Sequence, residues 1–327
     1  MKKNRLRPEG FPDDLEMLCC RSVRRERVPG DGDGSSVFPG QANRPYLLVF
    51  EEDTSPEPCS SPCVVRISSP EDAAVLFGIL GRNCELHVSP EYLERRNGLS
   101  ECISGLSYRE ATDAMYAADM EHVHDLLRKL PLNISGLVAG PLALTESDPL
   151  PPKVERGFVH KKNGHNTLLS EPVIDGRLVH FNLIGQTGEF VFDHDSDHLQ
   201  GMLLLEAIRQ ASIAVTHIAG DLPLSGMMAL SSYYNSFSTY VERSAPVVLR
   251  AFTSYRVPSD GRETDDYAIC QVFQWGKLVA EACLQAVVFM NHEQYDSKRV
   301  RAAKISQRSK RQFDGKISAL LENHCGI

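Results

Sequence analysis

The run Asp193-His194-Asp195-Ser196-Asp197-His198-Leu199-Gln200-Gly201-Met202-Leu203-Leu204-Leu205-Glu206-Ala207-Ile208-Arg209-Gln210 decides the reading of this chain. Acids and histidines lead into a helix that is apolar on nearly every side. That helix still carries Glu206, Arg209 and Gln210, which at i, i+3 and i+4 share one face. His217 lies eleven residues beyond Glu206 and returns close to the same face at 3.6 residues per turn. A helix buried all round should not hold such groups without a reason, because each carries a desolvation cost. A polar stripe on a buried helix, with histidines at its entrance, suits an acid–base or acyl-binding site.

Working outward, Gly220-Asp221-Leu222-Pro223 stops the helix, predicted over about 199–219. Four strand candidates follow, at about 227–241, 246–257, 266–275 and 278–290, the last two joined at Trp275-Gly276-Lys277 as a tight hairpin. Upstream, 158–161, 167–174 and 177–184 read as strands, the last with Val179, Phe181 and Leu183 alternating onto one face. One long apolar helix held by an antiparallel meander is the hotdog plan, a sheet wrapped round a central helix.

The rest of the chain divides by composition. Residues 1–45 are charged and rich in Gly and Pro, as in Pro-Gly-Asp-Gly-Asp-Gly-Ser-Ser at 29–36, and read as a flexible arm. Residues 46–145 read as a small α/β domain of unknown type. Strands are expected at 46–51 and 63–68. A helix opened by Ser69-Pro70-Glu71-Asp72 runs to about Gly81, and a longer one spans 108–130. This unit has no Gly-rich phosphate loop and no nucleophile elbow. His122 and His124, at i and i+2, point apart on a helix, so a solvated face is favoured over a metal site there. Residues 146–156 read as a linker, 157–292 as the hotdog domain and 293–327 as a basic tail. The fold class is therefore α+β. The tail packs seven basic residues into 298–311, which reads as a solvated or disordered end, or as a docking surface for an acidic carrier protein.

Composition excludes several classes. A net charge of -8 does not suggest nucleic-acid binding. No apolar run approaches the length of a membrane span, and the basic start is followed by Pro8, Glu9, Asp13 and Asp14 rather than an apolar signal core. A cytoplasmic protein with no nucleic-acid or membrane partner is expected. The nine cysteines include no Cys-x-x-Cys; a zinc site on Cys59 and Cys63 would need Cys84 and His87, and reduced, buried thiols are the simpler reading.

Residues 157–290 resemble the A-factor biosynthesis (AfsA-like) hotdog family of bacterial signalling-butyrolactone synthases. The motifs are Val159-His160-Lys161, Leu168-Leu169-Ser170, Asp193-His194 with Asp197-His198, Gly201-Met202, and Glu206-Ala207-Ile208-Arg209-Gln210, with His217 and Pro223 after them. The resemblance implies transfer of a β-ketoacyl group from acyl carrier protein, or an acyl-CoA thioester, to a hydroxyl of a phosphorylated three-carbon acceptor such as dihydroxyacetone phosphate. The ester would then close towards a butenolide in secondary metabolism and quorum signalling. Family members usually hold two hotdog repeats, whereas this chain shows one set of motifs, so a homodimer is expected. Hotdog dehydratases and thioesterases, and a non-catalytic acyl-binding regulator, are the alternatives.

Acyl transfer to an alcohol needs a base, an oxyanion donor and a dry acyl slot. His194 or His198 would be the base. Glu206 would orient it, or act as base once burial raised its pKa. Arg209 would hold a phosphate or the developing charge, and Gln210 would donate a hydrogen bond. Asp193, Asp197, His160, Lys161, His217 and Met202 are substrate-binding candidates, with Met202 and Leu205 bordering the acyl slot. Each has a plainer reading. The acids would cap the helix, Glu206 and Arg209 would form a structural ion pair, His217 would be a satisfied core histidine, and His160 and Lys161 would be strand ends. Metal ligation by Asp193, His194, Asp197 and His198 is a minor alternative, and no cofactor or metal is expected.

Overall fold

The computed structural model describes residues 46–325, apart from 55–62, 97, 105, 138–140 and 186–195. The arm, Cys59, Asp193, His194 and Asp195 therefore lie outside the described residues. The N-terminal unit holds three short parallel strands, β1 (Tyr46–Phe50), β2 (Val64–Ile67) and β3 (Cys84–His87), in the order β2-β1-β3. Around them run α1 (Pro70–Leu80), α2 (Pro90–Arg95), α3 (Leu99–Ser104), α4 (Tyr108–Ala117), α5 (Met120–Lys129) and α6 (Ile134–Leu137). Ser69 caps α1 through its side chain, as its position before Pro70 implies. The expected helix over 108–130 is two helices. Ala118 is extended at φ -69°, ψ 146°, and Asp119 takes the N–H of Glu121 to start α5 afresh.

The second unit is a six-stranded antiparallel sheet in the order β4-β5-β7-β8-β9-β6. Its strands are β4 (Val173–Asp175), β5 (Leu178–Asn182), β6 (Met227–Phe237), β7 (Val248–Thr253), β8 (Thr264–Gln274) and β9 (Lys277–Phe289). Its inner face packs on α7 (Gly201–Ile218). Val179, Phe181, Leu249, Ala251, Cys270, Val272, Ala282 and Leu284 meet Leu204, Ala207, Ile208, Ala211, Ala214 and Val215 in one buried cluster. This is the hotdog arrangement that the alternation predicted. Trp275 and Gly276 both take positive φ, 50° and 73°, so β8 and β9 join through the two-residue primed turn that matches strand twist.

Strands were expected at 158–161 and 167–174, but only Val173–Asp175 pairs as one. Residues 156–159 form a 3-10 turn ended by His160 in the left-handed conformation, φ 53°, and Asn163 caps a second turn over 164–166. The predicted linker also reaches into the sheet unit, since the Val154 N–H bonds the Leu169 carbonyl and Lys153 bridges Ser170. The basic tail is α8 (His292–Cys325), a helix and not a disordered end; apart from the half-buried Gln294 and Tyr295 at its start, its described side chains are exposed.

An antiparallel sheet often leaves its outer face to water. Here the N-terminal unit covers it, and Leu178, Phe252 and Ile269 join the core of β1–β3 and α1–α5. Gly176 makes the close approach possible. Its φ is 64°, and a Cβ there would lie 2.4 Å from the Ile79 carbonyl oxygen. At the centre sits Arg250 on β7, 1% exposed. It donates to the carbonyls of Leu127 and Leu130 at 2.9 Å, of Pro131 at 3.1 Å, and to Gln271 Oε1. An arginine from the sheet thus caps the C-terminus of α5, where carbonyls lack intrahelical partners. Its register partner His180 is held neutral, at about 3, by burial and then by the Arg250 charge. On β9, Glu281 accepts from Arg128 and contacts His124 of α5 at 3.1 Å. The segment around His122 and His124 is thus partly an interface rather than a solvated face.

Arg250→Ala takes a donor from three carbonyls, of which Leu127 keeps the Leu130 N–H and Pro131 keeps the Tyr46 hydroxyl, so the Leu130 carbonyl and the Gln271 oxygen lose most. It is expected to lower unfolding free energy by about 2 kcal/mol or more, at about 1–3 kcal/mol for each of these two groups. Urea denaturation measures this, and amide exchange over 120–131 should rise with it. A change under about 1 kcal/mol would remove Arg250 from this role.

Candidate active site on the central helix

Residues 203–217 of α7 are mostly buried, which the apolar run demands. Gln200 is the N-cap residue and makes no side-chain cap bond. Asp197 does not cap the helix; its carboxylate lies 3.1 Å from His198 Nδ1. Ser196 Oγ is 2.8 Å from the same nitrogen, and the His198 ring lies 4.9 Å from that of Tyr240.

The polar stripe is satisfied by the segment that follows the 3-10 turn at 156–159. Lys161 Nζ lies 2.9 Å from Glu206 Oε1. Arg209 grips both Glu206 oxygens through Nε and Nη2 at 2.8 Å each. Gln210 Nε2 donates to Glu206 Oε1 at 3.0 Å and to the Asn166 carbonyl at 2.8 Å, while its Oε1 accepts from the Leu168 N–H. At the next-to-last residue of α7, His217 Nε2 and His160 Nε2 are 2.8 Å apart, and His217 Nδ1 is 2.9 Å from the Leu222 carbonyl. A carbonyl can only accept, so His217 carries its proton on Nδ1 and accepts at Nε2. His160 is then the Nε2–H donor. The left-handed turn at His160 sends two consecutive side chains, His160 and Lys161, to partners on the same helix. This is why Val159-His160-Lys161 and the helix block belong to one site rather than being strand ends.

Electrostatics follow from these contacts. Burial pushes the Glu206 carboxyl up, but hydrogen bonds from Arg209, Gln210 and Lys161, with the Arg209 charge, outweigh it and hold the group at about 2. Glu206 is thus a fixed anion, and the expectation that burial would make it a base is corrected. Burial, then the neighbouring His217, holds His160 at about 4, and burial lowers His217. Both imidazoles are neutral near pH 7, so two cations surround one carboxylate.

The structure joins Glu206, Arg209, Gln210, Lys161, His160 and His217 in one layer. Gln210 is fully buried with its amide committed, so it holds the 166–168 backbone rather than offering a donor to substrate. Met202 is 54% exposed and Leu205 is only half-buried, so they do not border a dry slot. His198 keeps to Ser196, Asp197 and Tyr240 at the helix entrance. Asp193 and His194 fall outside the described residues. Among the described residues, no group of three His, Cys, Asp or Glu side chains is placed to hold a metal ion. Cys63 and Cys84 are free and buried, with Cys63 Sγ 3.6 Å from Asn133 Oδ1.

On its other flank, α7 borders a cleft against β6, β8 and β9. It is lined by Arg209, Ser212, Ile213, Met228, Leu230, Asp266, Ala268, Leu284 and Ala286. Sequence reading missed Asp266, although alternation along β8 puts it on the inner face with Ala268, Cys270 and Val272. It is 1% exposed and faces hydroxyls, with Thr216 and Thr253 at 2.8 Å and Ser254 at 3.3 Å. Thr216 Oγ1 also lies 2.9 Å from the Ser212 carbonyl. If its single proton serves that carbonyl, its contact with Asp266 runs from a protonated carboxyl. Burial raises the Asp266 carboxyl in the same sense. A carboxyl raised in the folded state stabilises fully below its unfolded pKa of about 3.9, and this stability is lost as pH rises. Asp266→Asn, which keeps the shape of a neutral acid, should melt above the parent at pH 7.5 and level with it near pH 4. A lower melting point at pH 7.5 would mean that Asp266 is needed as an anion.

No curated protein matches this sequence. Among solved structures, a candidate thioesterase from Shewanella oneidensis is 13% identical, covering 41% of this chain and 86% of its own, with a TM-score of 0.30. A protein from Helicobacter felis is 16% identical over 44% of this chain and 91% of its own, with a TM-score of 0.31. An uncharacterised protein from Pyrococcus horikoshii is 16% identical over 43% and 96%, with a TM-score of 0.30. Residues 142–290 match the AfsA family, described as the A-factor biosynthesis hotdog domain, over the stretch where the His160-Lys161 turn meets the Glu206 helix. The C-terminal half of this chain is an A-factor biosynthesis hotdog domain.

Proposed function

We propose that the hotdog domain is an acyltransferase. It would move a β-ketoacyl group from an acyl-carrier or acyl-CoA thioester to a hydroxyl of a small phosphorylated acceptor of the dihydroxyacetone phosphate kind, towards a butyrolactone or butenolide. The observation that carries this reading is the pair of cations, Lys161 and Arg209, set about the single carboxylate of Glu206 beside a cleft. Two cationic head groups in one layer suit a phosphate or a developing oxyanion. Base chemistry falls to a histidine. Asp197 accepts from His198 Nδ1–H, which leaves Nε2 bare to take the acceptor's hydroxyl proton; His194 is the other candidate at this entrance. The acceptor oxygen then bonds the thioester carbonyl carbon, the C–S bond breaks, and the departing thiolate takes the proton back. A dehydratase fits less well, because Glu206, held at about 2, is a poor proton donor near neutral pH.

The test is purified protein with a β-ketoacyl thioester, with and without dihydroxyacetone phosphate. Thiol release that depends on the phosphate is expected. Release without it would make the protein a thioesterase, and binding without turnover a non-catalytic acyl binder. Glu206→Gln should lower turnover about a hundredfold in a folded protein, while Arg209→Ala should chiefly raise KM for the acceptor. Near-normal turnover of Glu206→Gln would leave the cluster a structural ion pair.

A homodimer belongs to the same reading. Strand β6 ends the sheet, runs eleven residues without a charge, and exposes Leu230, Tyr234 and Phe237. A long uncharged edge strand is a template for pairing. Sedimentation at micromolar concentration should give a dimer, and Tyr234→Lys should weaken it. A fully active monomer would overturn this.

A further inference from the structure

We propose that the cleft between α7 and strands β6, β8 and β9 is the acyl slot, that it takes a short unbranched tail, and that Met228 on β6 sets the tail length. The inference rests on the acyltransfer reading and adds where the tail goes and how long it is. Arg209, which also grips Glu206, is one of the residues lining the cleft, so an acyl tail held there would keep its carbonyl end near the cationic layer. Beyond Arg209 the lining is Ile213, Met228, Leu230 and Leu284, with small side chains at Ser212, Ala268 and Ala286. A bulkier residue at any of those three would fill the space. The one acid in the wall, Asp266, is enclosed by the hydroxyls of Thr216, Thr253 and Ser254. Its carboxyl is thus engaged by three hydroxyls, which reduces the charge it offers to an apolar tail.

The cavity measures about 50 Å³. At about 10–15 Å³ per water-sized group, it has room for on the order of four such groups. That matches a tail of on the order of four carbons beyond the thioester head, and longer tails must push the wall outward. Met228 is the part of that wall best able to yield, because it lies half-buried on the edge strand with a flexible thioether side chain. Ala268 and Ala286 are buried in the sheet and cannot move aside in the same way.

The experiment is calorimetric binding of non-hydrolysable acyl-pantetheine amides carrying linear tails of four, six, eight and ten carbons. Parent, Met228→Ala and Met228→Trp proteins are compared, each checked by its melting curve. The parent should gain affinity up to the four- or six-carbon tail and then level off or fall. Met228→Ala should move the optimum to longer tails. Met228→Trp should flatten the series by at least tenfold at the parent's optimum. Unchanged profiles in both folded variants would overturn the slot, as would a parent whose affinity keeps rising to ten carbons. The thiol-release assay reads the other question. Phosphate-dependent transfer with a profile indifferent to Met228 retains the acyltransfer reading and rejects the slot. A Met228-dependent profile without transfer retains the slot and rejects the acyltransfer.

Discussion

A sheet buried on both faces must partner most of the polar groups it carries, and Arg250 shows how one of them is met. It is 1% exposed, and among the described residues it donates to carbonyls and amides rather than to a carboxylate. It is held by three carbonyls at the end of α5, by Gln271, and by the Phe273 ring 4.7 Å below. Without it the Leu130 carbonyl, at a helix end buried against the sheet, would lose its donor. Each side therefore solves the other's problem, and the two units settle in one relative position. The inner face is then free to be almost wholly apolar, which packs α7 tightly enough for its polar stripe to be placed with accuracy.

That stripe works by the same logic with a different outcome. Glu206 is buried on the helix, and desolvation alone would neutralise it. Lys161, Arg209 and Gln210 reverse this, and in doing so they fix the 160–168 segment over the helix. The arrangement separates roles. One carboxylate is held ionised and organises cations, while His160 of the segment and His217 of the helix stay neutral. The flank of the same helix offers the cleft, so head-group electrostatics and tail packing are read by residues one turn apart.

Much of the fold was legible in the sequence because its signals are local. Alternation in 177–184 and 266–290, the Trp275-Gly276 turn and the stop at Gly220 and Pro223 each depend on neighbouring residues. The polar stripe was legible because Glu206, Arg209 and Gln210 defy the apolar pattern around them. What could not be read was set at a distance. Whether 158–161 forms a strand depends on His160 adopting φ 53°, which contacts with His217, fifty-seven residues away, help to hold. The split of 108–130 at Ala118 reflects the need to lay α5 along the sheet, which no helical periodicity encodes. Asp266 was readable in principle, since its even-numbered neighbours on β8 are all core. The carbonyls of Asn166 and Leu222 carry no side-chain signature at all.

The shared core between the two units bears on modularity. The family match covers 142–290, yet Leu178, Phe252 and Ile269 within it are buried by residues 46–130. A protein cut at the family boundary would present these side chains, with Cys283, as one contiguous apolar face, of the kind that drives association of monomeric domains. The N-terminal unit is therefore part of the hotdog domain's solubility: the evolutionary unit and the folding unit of this chain do not share a boundary.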